Sequence, residues 1–178
     1  MRESLFQLLA DDLHSALDHN GRVIGEAHPG LLRRINVCLT PGMISLLIHR
    51  LAHAAWQMRC FRCAAWLSGL NMLLQRVDIH PACSFAGGVY IPHPAGVLLQ
   101  CHAGRNLAVF SGASVAALPS DAHDRWARLG DNVWIGARAR VSGPVQVGDH
   151  ARIGPGAVLQ TDIDKATIAF APRIGEAR

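Results

Sequence analysis

The chain has 178 residues, enough for one domain with a substantial core. Half of them are apolar, 17% are charged and the formal net charge is +4, which is a globular composition rather than a disordered one. Lys165 is the only lysine and the arginines are scattered without a block of like charge, which argues against nucleic acid as a partner.

Residues 3–18 place Leu5, Leu8, Leu9, Leu13, Ala16 and Leu17 at helical spacing, so an amphipathic helix is predicted there. His19-Asn20-Gly21 is expected to stop it, with the glycine as C-terminal cap. Residues 25–30 read as a loop and 31–39 as a short helix. Pro41-Gly42 breaks the chain, and Pro41 suits a helix start. Helices are predicted over 43–58 and 61–76, interrupted or separated by His49, Arg50, Arg59 and Arg62. Neither reaches the roughly 18–20 uninterrupted apolar residues of a membrane span, so no membrane partner is expected. Their apolar faces are expected to pack on each other, on the first turn of the next segment, or on another subunit. The five cysteines are odd in number and no signal peptide precedes them, which points to the cytoplasm. Cys60-Phe61-Arg62-Cys63 is a CxxC without a second CxxC, and reads as helix packing rather than zinc or redox chemistry.

A period of six residues then takes over. From Leu129 the blocks are LGDNVW, IGARAR, VSGPVQ, VGDHAR, IGPGAV and LQTDID, each opening on an aliphatic residue with an apolar partner four places on. From Ile79 an earlier run leads with Ile79, Phe85, Ile91, Val97, Ala103, Val109 and Val115. Six fits neither helix nor plain strand and is the hexapeptide signature of a parallel β-helix. Gly130, Gly136, Gly148 and Gly154 are expected to turn its corners through positive φ. The two runs are out of phase, so residues 116–128 must leave the coil as a loop. Cys83 and Cys101, one coil apart, should stack inside as free thiols. The predicted fold class is α+β. A helical subdomain over 1–77 precedes a left-handed parallel β-helix over 78–164, and 165–178 form a tail.

HRLAH (49–53), VDIHPA (77–82), PHPAG (92–96), GDNVWIGARARVSGP (130–144) and VGDHARIGPGAV (147–158) together resemble the serine O-acetyltransferase family of hexapeptide acyltransferases, in a short and divergent form. The resemblance implies an acetyl-CoA-dependent transfer to the hydroxyl of L-serine or a similar small acceptor. It makes His93 the general base and Asp78 the carboxylate that orients it, a pairing that gives a weak hydroxyl nucleophile its activation. It places CoA along Gly136, Ala137, Gly154 and Pro155, with Lys165 and Arg173 toward the CoA phosphates. His123 and Trp126, on or beside the loop, are expected near the acceptor. It also implies a homotrimer or dimer of trimers with sites at subunit boundaries. No metal is expected; a three-histidine zinc site from His80, His93 and His102 is the rival, and it lacks a pair of ligands four or five apart.

The sequence departs from the family's pattern at several points. Ala116-Ala117 stands for a glycine pair, Trp126 for a second histidine, and His28-Pro29 for an Asp-Pro pair. The last residue is Arg178, not the isoleucine with which many members dock into cysteine synthase. The departures keep a second class open: a catalytically weak or inactive relative that binds or scaffolds a partner, or an acyltransferase for another small hydroxyl or amine.

Overall fold

The computed structural model describes residues 4–24, 30–117 and 125–170. Four helices come first: α1 (Leu5–Ile24), α2 (Leu31–Cys38), α3 (Pro41–Gln57) and α4 (Phe61–Gln75). Helix α1 runs through Gly21 rather than stopping at residue 18. Local and tertiary contacts outweigh the glycine: within the helix His19 donates from Nδ1 to the Ser15 carbonyl at 2.9 Å, and its ring stacks on Tyr90 with centroids 4.2 Å apart. Helix α3 begins with Pro41 as expected, and α4 ends where Arg76 turns left-handed at φ 55°. No single helix among the described residues is long and apolar enough to cross a membrane.

One buried ion pair joins these helices to the remainder of the chain. The Arg50 guanidinium on α3 donates to both carboxylate oxygens of Asp12 on α1, each at 3.1 Å. It also donates to the carbonyls of Phe85 and Ala86, while Asp12 Oδ1 accepts from the backbone N–H of Gly88 and Val89 at 3.0 and 2.8 Å. Both side chains are almost wholly buried, at 2% and 0% exposure. Burial pushes the Asp12 carboxyl above its ordinary range, with Arg50 and the two N–H groups pulling the other way.

The rest is a three-sided parallel coil. Its strands are β1 (Asp78–Ile79), β2 (Ser84–Phe85), β3 (Leu98–Leu99), β4 (Cys101–Ala103), β5 (Ala108–Val109), β6 (Ser114–Ala116), β7 (Ala127–Leu129), β8 (Trp134–Ile135), β9 (Arg140–Ser142), β10 (Gln146–Val147), β11 (Arg152–Ile153), β12 (Val158–Leu159) and β13 (Ile168–Ala169). They form three sheets, β1-β3-β6-β9-β12, β2-β4-β7-β10 and β5-β8-β11-β13, which the chain visits in rotation. Aliphatic side chains stack rung on rung inside, as in Ile79, Leu99, Val115, Val141 and Leu159 along the first face. Cys83 and Cys101 are buried free thiols, as the period predicts.

Three details differ from a strict count of six. Leu99, not Val97, takes the inward strand position opposite Ile79, and Ala95 is exposed. The turn over 92–96 consumes two extra residues, and the short corner after Leu99 returns them by Ala103. The excursion is narrower than 116–128, because Ala116, Ala127 and Arg128 are strand residues. Its extent shows in the pairing of Cys101 with Ala127, 26 residues on, against 18 for Ser84 with His102. The coil also continues past residue 164: Ile163 bridges to Val147, and β13 pairs with β11. A shortened corner after Leu159 puts Ile163 near the interior, where a strict count would have placed Lys165.

Gly130, Gly136, Gly148 and Gly154 act by size rather than by handedness, while Gly112 and Gly156 do turn their corners through left-handed φ. Left-handed φ also falls on Asn106, Asn132, Arg138, His150 and Ala166. A Cβ on Gly136 would sit 2.6 Å from the Pro155 backbone nitrogen, so the next rung can stack only if that methyl is missing. Gly136→Ala should therefore cost about 1–3 kcal/mol, the usual range for overpacking, read as a lower midpoint in urea with unchanged slope. Asp12→Ala, which strands Arg50 without its partner, should cost about 3–5 kcal/mol in the same measurement.

Candidate functional site

The corner after the β5-β8-β11-β13 sheet gathers five of the predicted residues. Gly112 donates its N–H to the Ala95 carbonyl at 3.1 Å, Arg138 to Ser111 at 3.0 Å and Gly156 to Ala137 at 2.9 Å. These bonds stack the turns 92–96, 110–112, 136–138 and 154–156 along one edge. His93 stands on the first of them, and Gly136-Ala137 and Gly154-Pro155 on the third and fourth.

His93 is exposed and lines a cavity of about 390 Å³. The opposite wall comes from the helices, with Asn20 of α1, Thr40, and Gly42, Met43 and Leu46 at the start of α3. Helix and coil touch closely there, since a Cβ on Gly42 would overlap the Ile91 carbonyl oxygen. Asp78 is half-buried on β1. The turn that carries His93 returns directly onto this strand. Gly96 donates to the Arg76 carbonyl at 2.8 Å, and Asp78 donates its N–H to the Val97 carbonyl at 2.9 Å. The two backbones are thus neighbours, and no hydrogen bond joins the two side chains. Apo geometry of this kind commonly tightens only with substrate in place.

Other predicted residues lie elsewhere. Lys165 is on the corner after β10, where its backbone nitrogen packs beneath Gly148. Coil geometry separates that corner from the one bearing Gly136. Trp126 does not face an open site. It is 5% exposed, edge-on to His80 with centroids 5.0 Å apart and stacked on His102 at 6.0 Å. An indole placed just before β7 is drawn against these rings because burying it outweighs leaving it in solvent. Residues 123 and 173 fall outside the described residues, so His123 and Arg173 are not placed. His80 and His102 gather around Trp126 while His93 stands on a different corner, and no three metal-ligating groups cluster among the described residues.

The HRLAH segment has structural roles that its spacing alone did not reveal. Arg50 is the buried cation described above. The His53 ring nitrogen Nδ1 donates to the Pro81 carbonyl at 2.8 Å. His49 is fully buried against Phe85, and both ring nitrogens lack partners. Burial, with Arg50 close by, holds the His49 imidazole well below its ordinary value, so it is neutral. Asn20, Thr40 and Gly42 carried no signal either; only the pairing of helix and coil brings them to His93.

Residues 127–161 match the family model described as bacterial transferase hexapeptide (six repeats). A serine acetyltransferase of Helicobacter pylori is 33% identical over 133 residues, covering 74% of this chain and 78% of that one. The chain belongs to the serine acetyltransferase family. A Synechococcus elongatus serine acetyltransferase is 33% identical over 162 residues, 89% of this chain, and the chain spans 63% of that relative's length. Soybean serine acetyltransferase complexed with serine superposes with a TM-score of 0.82 at 26% identity, covering 95% of this chain and 68% of that one. An Entamoeba histolytica isoform in complex with cysteine has the same TM-score at 23% identity, over 98% of this chain and 60% of its own. The fold they share is a helical segment followed by a left-handed β-helix.

The buried neutral His49 gives a pH test of this family segment. Its folded pKa is depressed, so the unfolded chain takes up a proton that the folded chain refuses. The His49 contribution to stability should be flat in pH above about 6.5, the unfolded value. Below that it should fall with a slope approaching 1.4 kcal/mol per pH unit. Urea midpoints across this range, compared with His49→Gln, should show that part of the slope vanish in the variant.

Proposed function

We propose that the protein is an acetyl-CoA-dependent O-acetyltransferase acting on the hydroxyl of L-serine or a similar small acceptor. The observation that carries the reading is the placement of His93 on the same corner as Gly136-Ala137 and Gly154-Pro155, with the strand of Asp78 directly against its turn. In the proposed reaction His93 takes the proton from the acceptor hydroxyl as its oxygen attacks the thioester carbonyl. The tetrahedral intermediate collapses, the carbon–sulfur bond breaks, and the imidazolium returns the proton to the CoA thiolate. Asp78 orients the ring and offsets its positive charge. Small side chains along the corner let the pantetheine arm approach the backbone, whose N–H groups can face the developing oxyanion. CoA supplies the activated acetyl group; Arg173 would approach its phosphates from the chain's end, while Lys165 would need the corner of a neighbouring subunit.

A homotrimer, or a dimer of trimers, belongs to the same proposal. It is supported by the apolar side chains that α4 leaves outside, among them Trp66, Leu73 and Leu74 at 69, 82 and 60% exposure. The free state of all five thiols, Cys83 and Cys101 included, supports a reducing compartment such as the cytoplasm. One observation favours the second reading, a weakly active relative that binds a partner: the indole of Trp126 is packed inside where the family pattern has a histidine.

Free thiol released from acetyl-CoA, measured with L-serine and with other small hydroxyl and amine acceptors, tests the proposal. Transfer should fall as pH is lowered. His93→Ala should lose about 10²–10⁴-fold in kcat, and Asp78→Asn about as much or less. Calorimetric CoA affinity should survive both changes. Failure of the unsubstituted protein to bind CoA at millimolar concentration would reject the mechanism and favour the scaffold.

A further inference from the structure

Two thiols stand apart from the proposed transfer. Cys83 and Cys101 are enclosed by the coil, and burial pushes Cys83 up to about 12 and Cys101 well above the ordinary thiol value. They are inert. Cys60 and Cys63 are both exposed, and the CxxC expected to pack against other helices instead faces outward. Cys60 is the N-cap of α4 and Cys63 lies in its first turn. Residues three apart on such a turn have Cα atoms roughly 5 Å from each other, inside the range a disulfide spans. Both side chains therefore project from the same exposed helical turn.

The surroundings favour an anionic reaction partner. Arg59 precedes the pair and Arg62 lies within it, both exposed, and residues 27–77 contain no aspartate or glutamate. A helix N-terminus adds partial positive charge. Hydrogen bonding from the Cys63 thiol, with the Cys63 backbone N–H, holds the Cys60 thiol below its ordinary value, while the same interaction raises Cys63. Such asymmetry divides a dithiol into an attacking and a resolving sulfur.

We propose that Cys60 and Cys63 are a redox-active dithiol that exchanges with small anionic disulfides of the oxidised-glutathione class. The Cys60 thiolate attacks one sulfur of the disulfide, forming a mixed disulfide and expelling one thiolate. Cys63 loses its proton and attacks Cys60, closing the intramolecular bond and expelling the second. Two electrons pass from the protein to the small disulfide, and the two protons of the dithiol end on the two released thiols.

The test incubates the reduced full-length protein with oxidised glutathione near neutral pH, then quenches in acid and reads intact mass and total thiols in denaturant. The expected product has lost two of its five thiols and two hydrogens, carries no adduct, and yields a cross-linked peptide containing both residues. Cys63→Ser should stop at a stable glutathione adduct on Cys60. Cys60→Ser should react at least about tenfold more slowly at the remaining Cys63. Retention of all five thiols, a first adduct on Cys38 or Cys63, or a bond between two chains would each overturn the proposal. The substituted positions are exposed, and the result with the unsubstituted protein decides the matter even if a variant fails to fold.

Discussion

A β-helix needs an end, and here the end is closed by a buried charge. The first rung has no rung before it, so its backbone carbonyls and N–H groups would face apolar helix or solvent unpaired. Arg50 and Asp12 take that place, binding the carbonyls of Phe85 and Ala86 and the N–H groups of Gly88 and Val89. His53 and Ser68 do the same for the carbonyls of Pro81 and Ile79. Such a pair stabilises only because every polar atom finds a partner; removing water from two charges otherwise costs more than their attraction returns. The same contacts set α1 and α3 against the coil, and so build the helical wall opposite His93.

The repeat was legible because each face of the coil turns one aliphatic strand side chain and one apolar corner partner inward, which imposes a period of six on the sequence. What that period leaves open is where a corner takes or drops two residues. Val97 and Leu99 are both apolar, and only the turn of Pro92–Ala95 decides which one enters the strand; near residue 164 the same ambiguity hid the last rung. The glycines were visible, yet their reason was not, since a missing Cβ and a left-handed φ leave the same letter in the sequence. Asn132, Arg138 and His150 share the left-handed turns with Gly112 and Gly156, a role that asparagine tolerates well and arginine and histidine do not advertise. Arg50 read as an interruption of an apolar helix. A lone arginine there signals a buried partner, but choosing Asp12 required knowing that α1 folds back across the coil's end.

The candidate site shows the same division. Asp78 and His93 were singled out through their motifs, and the structure brings the two backbone segments together without a hydrogen bond between the side chains. Asn20, Thr40 and Gly42 lie 50 to 75 residues away in sequence and meet His93 only through packing. Their side chains are neutral, so this wall of the cavity offers hydrogen-bonding groups and shape but no fixed charge of its own. Discrimination among small hydroxyl compounds at this wall would then come from hydrogen bonds that a wrong acceptor leaves unmade, which is a stronger filter than apolar fit.

Trp126 bears on how the proposed chemistry would be divided. Its ring is fixed by His80 on one side and His102 on the other, and His80 in turn lies edge-on to Trp56. His80 is held as well by its own turn, where Nδ1 accepts the Ala82 N–H at 3.1 Å. These imidazoles are therefore packing and hydrogen-bonding elements of the coil's first rungs, oriented toward an indole rather than toward the cavity at the other corner. An indole N–H can donate but cannot take up a proton. Of the placed histidines, His93 is thus the one that combines exposure with the corner of small residues, and both proton transfers of the proposed reaction fall to a single ring: as base when the hydroxyl attacks, and as acid when the thiolate leaves.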